Sequence, residues 1–219
     1  MGVIALAVAP DGRWLASAGG GDRTVRLWDI ATGQERATLT GHTGRVRALA
    51  MAPNGSWLAS GARDATVRIW DLTTARHRGT LRGHVGGVEA VAVAPDGAWL
   101  ASGGHDGTVR VWDTATWREA ATLTGHAGRV TALAVTPDGT WLASGSDDGT
   151  VRIWDVNSAQ PEALMRLANR VAAATWVSTD TLAIGGPAGL YFFDLLTGVP
   201  AVPAKDGLGV PVSDQFDFH

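Results

Sequence analysis

Between residues 45 and 81 the chain changes from apolar to polar in short runs, with no helical spacing sustained over two turns. "RVRALAM" alternates and ends at the turn signal "APNG". "SWLAS" is a short apolar run that ends in a second turn, "GARDA". "TVRIW" alternates again, with Val67 and Ile69 on one face and Thr66, Arg68 and Trp70 on the other. "DLTTAR" reads as a loop and "HRGTL" as a fourth, more polar strand. Four short strands punctuated by Gly, Pro, Asn and Asp predict an antiparallel meander.

The meander recurs. Trp28-Asp29, Trp70-Asp71, Trp112-Asp113 and Trp154-Asp155 are each 42 residues apart, as are Gly41-His42, Gly83-His84 and Gly125-His126. Trp57, Trp99 and Trp141 keep the interval, and Trp14 misses it by one because "AGGGD" carries an extra residue. A fixed period of this length means stacked copies of one supersecondary unit.

In order, the copies run GH, "PDG" ("PNG" in the second), "WLASG" ("WLASAG" in the first), an Asp turn and "TVRIWD" or a one-residue variant of it, the first copy lacking the GH. This combination resembles the WD-repeat β-propeller family, strongly over residues 3–166. The resemblance implies an all-β propeller of four-stranded antiparallel blades, each unit beginning with the outer strand of the preceding blade. About five blades are expected, near 3–40, 45–82, 87–124, 129–167 and 170–202, the last degenerate. The propeller domain would span 1–202, with 203–219 a C-terminal tail lacking any repeat signal and open to disorder.

Composition narrows the chemistry. Net charge is −3, which gives no general drive toward nucleic acid or an anionic membrane. There are no cysteines, so disulfides and thiolate chemistry are excluded and a reducing, cytoplasmic location is expected. No apolar run approaches the ~20 residues of a membrane helix. One lysine against seventeen arginines, with abundant alanine, is what GC-rich bacterial codons would produce.

Ser60 has His42 eighteen residues before it, Asp64 four after and Trp70 ten after. The offsets recur in His84, Ser102, Asp106 and Trp112, and in His126, Ser144, Asp148 and Trp154. Ser, His and Asp could be a hydrolase triad. Three copies would then mean three active sites, and a serine inside "WLASG" should be buried, whereas a nucleophile must be exposed. A buried tryptophan N–H, by contrast, needs an acceptor. The family resemblance implies a structural hydrogen-bonded tetrad in each blade, Trp to Ser to His to Asp. Blade one keeps Ser17, Asp22 and Trp28, and its histidine position falls before residue 1. Blade five replaces the set with Ile184, Phe193, Ala168 and an alanine near 188. One histidine per blade gives no metal-ligand spacing, and no metal or cofactor is expected.

Positions that differ between copies are free to serve a partner. The residue before the tetrad Asp is Gly21, Arg63, His105 or Asp147. The inner strand opens with Gly2, Arg45, Gly87, Arg129 or Arg170, and two residues later come Ile4, Arg47, Glu89, Thr131 or Ala172. The resemblance implies that these line the top face around the central channel, where peptides bind. Arg45, Arg47 and Arg63 would sit together on blade two, Glu89 and His105 on blade three, and Arg129, Thr131 and Asp147 on blade four. Such arginines suit a carboxylate, a phosphate or an acidic peptide. Trp117, outside the repeat register, is expected to be exposed at the opposite rim as a contact residue.

The expected function is a non-enzymatic scaffold for protein or peptide. The alternative is the sensor or autoinhibitory portion of a larger bacterial signalling protein, a nucleotide-binding ATPase or a kinase. Five blades could close as an unusual ring, remain an open arc that self-associates through its edges, or form part of a longer propeller. "GVPAVPA" would have to supply blade five's outer strand, and its two prolines make it poor ladder material.

Overall fold

The computed structural model describes residues 2–19 and 21–195. Strands β1 (Val3–Val8), β2 (Trp14–Gly19), β3 (Val25–Asp29) and β4 (Glu35–Leu39) form the first antiparallel sheet. The second holds β5 (Val46–Met51), β6 (Trp57–Ala62), β7 (Thr66–Asp71) and β8 (Arg76–Arg82). The third holds β9 (Val88–Val93), β10 (Trp99–Gly104), β11 (Val109–Asp113) and β12 (Glu119–Leu123). The fourth holds β13 (Val130–Val135), β14 (Trp141–Ser146), β15 (Thr150–Asp155) and β16 (Gln160–Arg166). A three-stranded fifth sheet contains β17 (Ala173–Trp176), β18 (Thr181–Gly186) and β19 (Gly189–Asp194). Each is a meander in chain order, the blade architecture of an all-β propeller. The outer strand expected from "GVPAVPA", and the tail at 203–219, lie outside the described residues.

The core is built between blades. Val67 and Ile69 of β7 pack with Val88, Leu100 and Trp112 of blade three, while Trp70 packs with Trp14, Val25 and Leu27 of blade one. A sheet covered on both faces must be apolar on both, which explains why β6 is buried along its whole length. Fully burying a side chain such as Val67 or Ile69 contributes roughly 1.5–3 kcal/mol. The close approach dictates composition too: a Cβ on Gly103 would lie 2.5 Å from Val130 Cγ1 of the next blade.

The inner strands β1, β5, β9, β13 and β17 are successive neighbours, and β17 and β1 do not pack on each other in this way. The described blades therefore form an arc. A β-bulge near the start of β5, repeated in β1 and β13, fixes how the inner strand leaves the arginine-bearing edge.

Candidate functional site

Blades two, three and four each contain a buried polar chain. Trp70 Nε1–H donates to Ser60 Oγ at 2.7 Å, and Ser60 Oγ lies 2.8 Å from His42 Nε2. His42 Nδ1 lies 2.8 Å from Asp64 Oδ2. Because Ser60 accepts from the indole, its own hydrogen is free for Nε2, which leaves Nδ1–H to donate to Asp64. In blade three Trp112, Ser102, His84 and Asp106 are joined at 2.9, 2.8 and 3.1 Å. In blade four Trp154, Ser144, His126 and Asp148 are joined at 2.7, 2.7 and 3.3 Å, with Thr150 Oγ1 2.9 Å from His126 Nδ1.

The aspartates also hold the loop that carries the histidine. Asp64 accepts from Thr43 N–H, Asp106 from Val85 N–H and Asp148 from Ala127 N–H, each at 2.8 Å. Burial pushes the three histidines below their usual range, only partly offset by the facing aspartate. Burial raises Asp64, but donation by Thr66 and His42 outweighs it and holds the carboxyl at about 2. Asp148 is likewise raised by burial and brought to about 2 by Thr150 and the Ala127 N–H. Ser60, Ser102 and Ser144 are wholly buried, so no substrate carbonyl can approach them.

Blade one is incomplete. Trp28 Nε1–H donates to Ser17 Oγ at 2.7 Å, but no imidazole stands between Ser17 and Asp22 among the described residues. Blade five packs Ile184 in the serine position instead.

One further residue is constant in four blades and was not among the predicted structural set. Arg26, Arg68, Arg110 and Arg152 occupy the same place in four blades. Arg68 lies over Trp70 at 6.0 Å and Arg152 over Trp154 at 5.9 Å. A Cβ on Gly41 would stand 2.5 Å from Arg68 Nη1, which is why glycine precedes the tetrad histidine. Arg152 Nη2 donates to the Gly125 carbonyl at 3.0 Å. The invariance of this arginine in "TVRIWD" was the available signal.

The variable positions come together at one edge. Arg63 N–H donates to Arg45 O, His105 N–H to Gly87 O and Asp147 N–H to Arg129 O, at 2.9, 2.8 and 2.9 Å. The start of each inner strand thus lies beside its Asp turn. Glu89 is the hub between blades two and three: Arg47 Nε donates at 2.7 Å, His105 Nε2 lies at 2.6 Å and Arg63 Nε at 3.4 Å. Burial raises the Glu89 pKa, but Arg47 and His105 bring it below the ordinary value, so the carboxylate stays ionised.

Three sequence expectations change here. Arg47 is not free beside Arg45 and Arg63; it ties blade two to Glu89 of blade three. Thr131 is also an inter-blade tie, donating to Val171 O at 2.6 Å. Trp117 is half-buried rather than exposed: it meets Trp57 edge-on at 5.1 Å, and Arg78 lies over it at 5.5 Å. Its backbone is left-handed, with φ 56°, where blade one has Gly33. The cause is the same in each case, because neighbouring blades approach closely enough to engage side chains that a single-repeat reading treats as solvated.

Arg129 pairs with Asp147 at 2.5 Å, leaving little net charge on blade four's edge. Arg45 is exposed, and the Arg63 side chain is 44% exposed. Arg47 and Arg63 share the Glu89 carboxylate, and Arg45, whose carbonyl accepts the Arg63 N–H, is exposed beside them, so this edge carries more guanidinium groups than Glu89 offsets. Among the described residues no cluster of His, Asp and Glu has the makings of a metal site, and no helix is long and apolar enough to cross a membrane.

Against known families, the model described as "WD domain, G-beta repeat" matches at residues 1–29, 33–71, 75–113 and 117–155. None of these segments passes residue 155, so the fifth blade is recognised by its strands alone. A guanine nucleotide-binding protein G(I)/G(S)/G(T) subunit beta-1 of Homarus americanus is 53% identical over 45 residues, 20% of this chain and 13% of the relative. An uncharacterized WD repeat-containing protein of Synechocystis is 38% identical over 60 residues, 27% of this chain and 17% of the relative. The aligned segments thus span less than a fifth of either relative's own length.

Proposed function

This chain belongs to the WD domain, G-beta repeat family, and from that premise we propose that it is a non-enzymatic interaction module that captures an acidic peptide segment at the arginine-bearing edge of blade two. WD-repeat domains generally bind proteins, so the general class is that of the family. The finer reading is carried by one observation: Arg63 and Arg47 share the Glu89 carboxylate, and Arg45, whose carbonyl accepts the Arg63 N–H, is exposed beside them.

Each remaining group has a role in this reading. Glu89 fixes Arg47 and His105 and thereby stiffens the floor of the patch. Arg63 is shared weakly with Glu89 and can turn to an incoming carboxylate. Arg45 supplies the second fork, and two guanidinium groups suit bidentate recognition of a carboxylate or phosphate. The net charge of −3 makes the patch local, which favours an acidic peptide over nucleic acid or an anionic membrane. The absence of cysteine in the sequence supports a cytoplasmic setting.

The test is capture of partners from lysate by the wild type and by an Arg45→Ala/Arg63→Ala variant. Loss of the main captured protein in the variant supports the patch. Identical recovery by both proteins rejects it.

A further inference from the structure

The arginine in the middle of "TVRIWD" is constant, but its acceptor is not. Arg26 Nη1 donates to Glu35 Oε2 at 3.0 Å, and Arg110 Nη1 donates to Glu119 Oε2. The other oxygen of each glutamate accepts a threonine hydroxyl, from Thr38 and Thr122 respectively. In blades one and three the outer strand therefore supplies a carboxylate that bridges arginine and threonine. Blade two holds His77 in that place, 42 residues from each glutamate.

His77 keeps only half of the role. Its Nε2 lies 2.9 Å from Thr80 Oγ1, the counterpart of Thr38 and Thr122. Its ring meets Trp70 edge-on at 5.5 Å. A neutral imidazole has one acceptor nitrogen and no charge, so it does not replace a carboxylate for the guanidinium. Among the described residues Arg68 has neither an ion-pair nor a hydrogen-bond partner. Its Nε is buried, and the guanidinium rests over Trp70 at 6.0 Å and against Gly41. The Nε atoms of Arg110 and Arg152 also lack acceptors, but those side chains are held through their Nη atoms. Blade four has Pro161 at the glutamate position, and there Arg152 has turned to the Gly125 carbonyl.

The surroundings of Arg68 add positive charge instead of offsetting it. In the β7–β8 ladder Arg68 is opposite Thr80 and Thr66 is opposite Arg82, so Arg68 and Arg82 are diagonal neighbours on one face of the sheet. Blades one and three have Thr40 and Thr124 where blade two has Arg82. The outer strands β4, β12 and β16 contain Glu35, Glu119 and Glu162, whereas β8 contains no acidic residue. β8 is the edge strand of its sheet, and Arg76, His77, Arg78 and Arg82 are all exposed on it. Residues 45–82 hold seven arginines against two aspartates. Both aspartates are engaged, Asp64 in the tetrad and Asp71 by the Thr73 and Thr74 hydroxyls.

We propose that the outer edge of blade two is a docking site for a glutamate side chain of a partner protein. Its carboxylate takes the place that Glu35 and Glu119 occupy in blades one and three. Arg68 receives it through the Nη atoms, and Arg82 brings a second guanidinium to the same face. The ligand is a carboxylate because the same arginine, on the same two-strand frame, binds one in two sister blades. The site is built on β7 and β8. The Arg45/Arg63 patch is built on the start of β5 and the Asp turn, so either reading can fail without the other.

The test follows the Arg68 Nε–H by NMR in the full chain, since that group is shielded from solvent. The probes are the blocked peptide Ala-Glu-Ala-Glu-Ala and its glutamine counterpart, Ala-Gln-Ala-Gln-Ala. The Glu peptide should shift the Arg68 resonance saturably, and the Gln peptide should bind roughly tenfold more weakly or worse. His77→Glu restores the missing carboxylate. Without peptide it should move the Arg68 resonance in the direction that the Glu peptide moves it, and it should weaken peptide binding there by roughly tenfold or more. Arg45→Ala/Arg63→Ala should leave the Arg68 shift as it is in the wild type. No shift with millimolar Glu peptide, an equal shift with the Gln peptide, or unaltered peptide binding by folded His77→Glu overturns the proposal. Tighter binding of inorganic phosphate than of the Glu peptide would assign the site to a phosphate and overturn it as well. The wild-type titration decides even if a variant fails to fold.

Discussion

Trp70 Nε1–H donates to Ser60 Oγ at 2.7 Å, and both residues are buried between the first two blades. That bond decides what the serine is for. An oxygen that already accepts an indole hydrogen, donates to His42 and is wholly buried is out of a substrate's reach. The groups that look catalytic in one repeat instead join the two middle strands of a blade to the histidine loop and the Asp turn.

His84→Ala should lower stability by about 1–3 kcal/mol, because it leaves Ser102 and Asp106 buried without their partner. Chemical denaturation monitored by tryptophan fluorescence measures this. A midpoint equal to the wild type would show that the histidine braces nothing.

Acid should destabilise the protein in two stages. His42, His84 and His126 have folded values below their ordinary 6.5, so the unfolded chain binds protons first. Stability therefore falls as pH drops below that value. Asp64 and Asp148 sit at about 2 instead of the ordinary 3.8, so a second loss follows as pH falls from 3.8 toward 2. Denaturation midpoints from pH 8 to pH 2 should show both declines. A triple variant, His42→Gln/His84→Gln/His126→Gln, should lose the first decline selectively.

Ala65 has φ 65°, while the same turn position holds Gly107 and Gly149. A left-handed conformation costs a residue with a Cβ roughly 1–2 kcal/mol. Ala65→Gly should therefore raise stability, by up to about 1 kcal/mol once the extra backbone entropy of glycine is counted. The change in melting temperature gives the sign directly.

Glu89→Gln should weaken the junction of blades two and three, since it removes the charge that holds Arg47, Arg63 and His105. Breaking a largely desolvated ion pair by changing one partner is costly. The same substitution makes the patch more positive. It should lower the melting temperature and, in the folded protein, tighten the binding of an acidic peptide. Isothermal titration at two salt concentrations separates the effects, because only the second is screened.

The blades were legible in the sequence because each strand repeats a short-range pattern: Val67 and Ile69 alternate with Arg68 and Trp70 whatever surrounds them. The offsets of His42, Ser60, Asp64 and Trp70 were legible too, as a spacing rather than a geometry. What the pattern did not carry was the contact between blades. Arg47 and Glu89 are 42 residues apart in the chain and 2.7 Å apart in space, and nothing local to either residue announces the pairing. Trp117 misleads for the same reason, since its cover comes from Trp57 and Arg78 of the preceding blade.

The claim that the constant residues brace the fold while the variable arginines bind a partner is tested most directly by one side-by-side capture assay. It compares partner recovery by wild type, Ser60→Ala and Arg45→Ala/Arg63→Ala, with the melting temperature of each measured in parallel. The account predicts that folded Ser60→Ala melts lower and still recovers the partner, whereas the arginine variant melts like wild type and recovers none. Full recovery by the arginine variant, or loss of recovery by folded Ser60→Ala, would contradict it.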